Sequence, residues 1–228
     1  MNPPNKLPPR PKAASIFMAV PVVFIGLMGL AVALLYGLTR FGDQTASGDA
    51  VAMTFSGSCL ERATPILVAR AEQVGMPATM NAGVMTATLP QMQDAENTIP
   101  TLLVRPGLFS LKNNDSSIRF DNGHINAVAI DLDNAGMPVT MLKLNAEARA
   151  TIKDLDPSVE LTPEVDGTRF EPVRVKTLQD TAEITMTSGD GRTSVRMKRA
   201  ADRAIILEHG PLPCSIHILN VAPTDASG

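Results

Sequence analysis

Tryptophan is absent from this chain, tyrosine occurs once, and aromatic residues make up only 4% of its 228 positions. That scarcity removes the stacking platforms on which single-stranded nucleic acids are bound. Acidic side chains are missing from the first 40 residues: all 23 lie beyond them, whereas Lys6, Arg10, Lys12 and Arg40 are the basic ones there. The remainder carries 16 basic against 23 acidic side chains, a net of about −7, a sign that repels phosphate backbones and excludes nucleic acid as a partner. There is no Gly-x-Ser-x-Gly elbow, phosphate loop or dinucleotide fingerprint. His124, His209 and His217 are scattered without metal-ligand spacing. Asp131-Leu132-Asp133-Asn134-Ala135-Gly136 begins like a calcium loop, but position five is Ala135 and position twelve is Leu142, so a hairpin turn is the better reading. The chain therefore reads as non-enzymatic, with no cofactor and no metal.

Charge is also lacking from Ala13 to Thr39, and Ile16 to Leu38 is almost wholly apolar. A helix over that stretch is about 35 Å long, enough to cross a hydrocarbon core of ~30 Å. The basic, acid-free flank before it places residues 1–12 in the cytoplasm and the rest across a bacterial inner membrane, in the periplasm. A cleaved signal peptide is the competing reading; its apolar core runs only ~7–15 residues, so a single-pass anchor in the lipid bilayer is favoured. Gly29, Ala33 and Gly37 repeat on one face, a pattern suited to packing against another membrane helix. Residues 1–12 hold five prolines and read as an extended tail; residues 40–49 read as a linker.

Cysteine is nearly absent too. Cys59 and Cys214 stand at the two ends of the exported region, and in an oxidising compartment such a pair reads as a disulfide in preference to two buried thiols. Periodicity and punctuation between them predict an α+β domain. Strands are expected at 51–55, 84–89, 108–111, 125–132, 139–144, 159–165, 169–175, 182–187 and 214–219. Helices are expected after Thr64-Pro65 to Gly75, over 94–104 with a break at Pro100, over 146–155 capped by Asn145, and over 194–208. Asp133–Gly136 and Asp166-Gly167 supply hairpin turns. Arg192, Arg196, Lys198, Arg199 and Arg203 form a basic cluster that reads as a solvated face, with anionic lipid or a partner as the alternative.

Four stretches, in order, resemble the first periplasmic domain of the SecD protein-export subunit. They are Ile66–Gly75; Thr86–Pro90 followed by Asp94-Ala95-Glu96; Met137–Glu147; and Ala200–Pro213. Pro211 and Met92 depart from the family pattern. The resemblance implies a ferredoxin-like base built from both ends of the exported region (50–112 and 190–220), an α+β head inserted at 113–189, and a C-terminal tail at 221–228. It further implies assistance to protein export, with translocon subunits or exported polypeptides as partners. Because the sequence ends at Gly228, without the family's further membrane helices, proton conduction of its own is not expected. The alternative is an envelope structural or assembly protein that binds one dedicated membrane partner.

Overall fold

Alternate residues of β1 (Ala50–Ser56) are buried, with Val51, Met53 and Phe55 turned into a core, the period-two pattern of a half-buried strand. The computed structural model describes residues 49–90, 94–113 and 117–224. The tail 1–12, the segment 13–39 with Gly29, Ala33 and Gly37, most of the linker, Met92 and residues 225–228 lie outside those described. Among the described residues no helix is long and apolar enough to cross a membrane.

The base opens with β1 and the helix α1 (Leu60–Gln73). The sequence predicts this helix to start at Pro65, but it starts five residues earlier and Pro65 lies inside it. Its buried stripe of Ala63, Leu67 and Ala71, at four-residue spacing, extends upstream of the proline, and packing of that stripe outweighs the one backbone bond that Pro65 omits. The helix stops at Gly75, whose φ of 76° permits a Schellman close: Met76 N donates to Ala71 O (3.0 Å) and Gly75 N to Glu72 O (2.9 Å). A hairpin of β2 (Ala78–Asn81) and β3 (Val84–Thr88) follows, turning through Ala82 and Gly83, both at positive φ. Next comes α2 (Ala95–Leu103), continuous through Pro100.

Strand β12 (His217–Pro223) closes this sheet in the order β12-β1-β3-β2, all neighbours antiparallel. The last strand lies beside the first, as in a ferredoxin-like βαββαβ unit whose second half is interrupted. It runs three residues later than the 214–219 predicted, because Cys214 is tied to Cys59 and the chain joins the sheet only at His217. Met53, Leu67, Met76, Met85 and Leu103 are fully buried between sheet and helices. Each such side chain stabilises the fold by about 1.5–3 kcal/mol through removal of apolar surface from water.

The head contains two further sheets. One has the order β10-β8-β4-β5, with β9 also on β8: β4 (Phe109–Lys112), β5 (Ile118–Asp121), β8 (Glu160–Val165), β9 (Thr168–Arg169) and β10 (Val173–Arg174). The predicted strand over 169–175 is thus split, since Pro172 has no N–H to give to a ladder and Val175 begins helix α4 (Val175–Thr181). The other sheet has the order β11-β7-β6, from β6 (Ile125–Leu132), β7 (Pro138–Leu144) and β11 (Glu183–Thr187). In the β6–β7 turn, Asp133 Oδ1 accepts from Ala135 N and Met137 N (both 2.8 Å), which uses the carboxylate as turn chemistry. Helix α3 (Ala146–Lys153) is capped by Asn145, whose side chain accepts from Ala148 N at 2.9 Å.

Helix α5 (Thr193–Glu208) crosses the β11-β7-β6 sheet, where Thr140 Oγ1 donates to Ala200 O (3.1 Å). Ile205, Ile206 and Leu207 join Phe109, Leu111, Leu142 and Leu144 in the head core. Burial therefore groups β4 and α5 with the head, whereas the sequence division assigned both to the base. Apolar periodicity reveals that α5 has a buried face but not which sheet that face meets.

Candidate functional site

Arg70, on α1, is fully buried and has no carboxylate bonded to it. Its guanidinium donates to four carbonyls: Leu103 O (2.9 Å) and Arg105 O (2.6 Å) through Nη1, Ile206 O (3.3 Å) and Gly210 O (2.9 Å) through Nη2. Those oxygens lie at the C-terminal ends of α2 and α5. Helix C-termini leave carbonyls unpaired and carry partial negative charge, so one cation answers two of them at once. Burial, opposed by Asp166 and assisted by Arg105, pushes the Arg70 pKa down to about 10, which leaves it charged at neutral pH.

These two helix ends are where the chain leaves the base for the head and where it comes back. Gly107 sits in the outgoing crossing with φ 74°, and a Cβ there would stand 2.8 Å from both Arg70 Nη2 and Ile206 O. Leu212 N, on the return, donates to Pro106 O at 2.8 Å, tying the two crossings together. The Asp166-Gly167 turn of the head also docks here. Asp166 N donates to Leu108 O (2.9 Å), Leu108 N donates to Asp166 Oδ1 (2.8 Å), and Asp166 Oδ2 lies 3.4 Å from Arg105 Nη2.

On the outer side of the junction His209 Nε2 lies 2.7 Å from Gln73 Oε1, and Gln73 Nε2 donates to a Glu208 carboxylate oxygen. Burial lowers the His209 pKa, with Arg70 acting in the same sense and Glu208 against it. Neutral His209 thus bridges the C-terminal ends of α1 and α5. Cys59 and Cys214 are disulfide-bonded, with Cα atoms 5.9 Å apart, and join the start of α1 to the segment leading into β12.

The basic cluster on α5 is not a uniform solvated face. Arg203 is buried, donates to Met186 O (3.0 Å) and Thr187 O (3.1 Å), and lies 4.3 Å from the centroid of the Phe170 ring. Burial pushes its pKa down to about 10. Arg199 holds Ser188 O and Asp190 O, Arg196 holds Gly191 O, and Lys198 pairs with Asp202. The contacts of Arg196 and Arg199 fix the loop from β11 to α5, while the Lys198–Asp202 pair lies within the helix. His124 bonds Asp121, while His217 lies on β12, so the three histidines are not brought together. Among the described residues no group of three or more His, Cys, Asp or Glu side chains could hold a metal ion.

The polar groups of this junction are spent on holding its own backbone. What it offers is a braced two-part scaffold with strand edges around it. Arg70 is not legible in the sequence as a structural centre, because an arginine within an amphipathic helix carries no mark of burial.

No family model matches the chain, and no curated protein matches it. Solved structures do match. A SecDF crystal structure in a "super-membrane-facing form" is similar over 87% of this chain and 35% of its own, with a TM-score of 0.61 and 12% identity. A second structure, described as belonging to "a membrane component SecDF that enhances protein export", is similar over 75% of this chain and 98% of its own, with a TM-score of 0.57 and 12% identity. The chain thus spans about a third of the length of the first. At this identity the likeness is one of fold: the described domain has a SecDF-like fold.

Proposed function

We propose that this protein is a membrane-anchored, non-enzymatic periplasmic factor that assists protein export or binds exported polypeptides. In this reading residues 13–39 form the single-pass anchor in a bacterial inner membrane, with the N-terminus cytoplasmic and the SecDF-like domain periplasmic. The observation that carries the proposal is the SecDF-like fold of the described residues, which the first SecDF structure matches in an alignment covering 87% of this chain. A braced scaffold with open sheet edges is suited to holding an extended chain through backbone hydrogen bonds, a mode that tolerates many sequences.

Crosslinking in cells during active export, followed by purification and mass spectrometry, tests the proposal. Many transient secretory clients or translocon subunits are the expected adducts. One stoichiometric membrane partner and no clients would instead assign the protein to envelope assembly.

A further inference from the structure

We infer that the outer edge of β6 is the docking site for an extended polypeptide segment, which adds to the head sheet as a fourth strand. The inference rests on the polypeptide-binding reading above and names its surface.

Among the described residues β6 is the longest strand, at eight residues, and it borders its sheet. The direction of its backbone groups follows from the hairpin. Asp133 N donates to Met137 O at 2.9 Å, so Asp133 faces β7. In an antiparallel ladder this sense alternates. Ala127, Ala129 and Asp131 therefore face β7, opposite Lys143, Met141 and Val139, while Val128, Ile130 and Leu132 direct their N–H and C=O groups away from the sheet. Only the Leu132 N–H is answered, by Asp131 Oδ1 at 2.7 Å. Among the described residues no strand pairs with this edge.

The other edges are shorter or interrupted. β12 carries Pro223 and a register shift near its middle. On β11 the Glu183 N–H is taken by Thr181 Oγ1 and the Thr187 carbonyl by Arg203. β10 has two residues and β2 has four. Proline, bulges and short length are the usual protections of an edge, and β6 has none of them along Val128–Leu132.

Charge selects the occupant. Asp131 is exposed at one end of the open edge, and the only charged side chain of β6 is this carboxylate. A second copy would bring together two domains of net negative charge, whereas an apolar segment ending in basic residues is attracted. The partner we commit to is therefore an extended, apolar to cationic polypeptide. On the outward sheet face Ala127 and Ala129 are small and exposed, leaving room for varied side chains beside them.

The test uses the full chain in detergent micelles and a fluorescent peptide of alternating valine and threonine flanked by lysines. The Ile130 N–H points away from β7, so Ile130→Pro blocks pairing at the edge without removing a ladder bond. At least tenfold weaker binding is expected for this variant, with unchanged far-ultraviolet circular dichroism. Independently of any protein variant, a peptide N-methylated at alternate residues should bind wild type at least tenfold more weakly than its parent. Equal binding of both peptides, or of the parent peptide by a folded Ile130→Pro variant, overturns the edge as the site while leaving polypeptide binding intact. Failure of wild type to bind either the peptide or a reduced, carboxymethylated protein overturns both. A dimer in sedimentation velocity that Ile130→Pro dissociates would make the occupant a second copy and also overturn the inference.

Discussion

Replacing Arg70 by methionine should destabilise the fold more than any other single change at the junction. The guanidinium answers four carbonyls, and hydrogen bonds to a charged group contribute about 1.5–3 kcal/mol each, a gross gain on the order of 6–12 kcal/mol. Against this stands the cost of keeping a cation out of water, several kcal/mol. The variant escapes that cost but leaves helix-end carbonyls buried and unpaired. Net destabilisation should be about 3–5 kcal/mol, in line with the breaking of other buried charged contacts. For a folded region of this size that lowers the melting temperature by roughly 6–20 °C. Arg70→Lys keeps the charge but not the planar fork that spans two helix ends, and should lose about half as much. Thermal unfolding of the full chain in detergent, followed by circular dichroism, measures both. A methionine variant within about 1 kcal/mol of wild type would refute Arg70 as the clasp between base and head.

Three further perturbations, two at this junction and one at the other end of α1, have expected outcomes. Gly107→Ala should cost about 2–4 kcal/mol in denaturant unfolding, since its φ of 74° and the 2.8 Å approaches to Arg70 and Ile206 leave no place for a methyl group. Converting Cys59 and Cys214 together to serine opens a bridge across 155 positions and should lower unfolding free energy by up to about 5 kcal/mol, measurable as a shift in urea midpoint. His209 has a folded pKa below its unfolded value of about 6.5, so its contribution is complete above that pH. It is lost as pH falls from there through the folded value, because the unfolded state then binds the proton more readily. A stability–pH curve should therefore drop on mild acidification, and His209→Gln should remove that part of the drop.

Local chemistry explains what was legible in the sequence. Asp133–Gly136 between two β-branched runs marks the β6–β7 hairpin, and Asn145 marks the start of α3, because turns and caps are set by neighbouring residues. The β2–β3 hairpin carries no sequence signal because it places Ala82, not asparagine or aspartate, at positive φ. Pro65 is a local signal for the start of α1 that packing of Ala63 and Leu67 overrides. Arg70 was illegible for a different reason. Its carbonyl partners lie 33 to 140 positions away in sequence, and no local pattern encodes such a meeting. The α5 arginines look alike in sequence, yet Arg203 is buried against Phe170 while Arg196 and Arg199 tie down a loop.

Whether this SecDF-like domain meets polypeptides as they leave the membrane, as proposed, can be read from an arrested secretory intermediate. A photocrosslinker is placed in the segment of an arrested chain that has just emerged into the periplasm, and adducts are identified after illumination. An adduct with this protein that disappears when the arrested chain is released is the expected result. Efficient crosslinking of that segment to other envelope proteins, with none to this one, would contradict it.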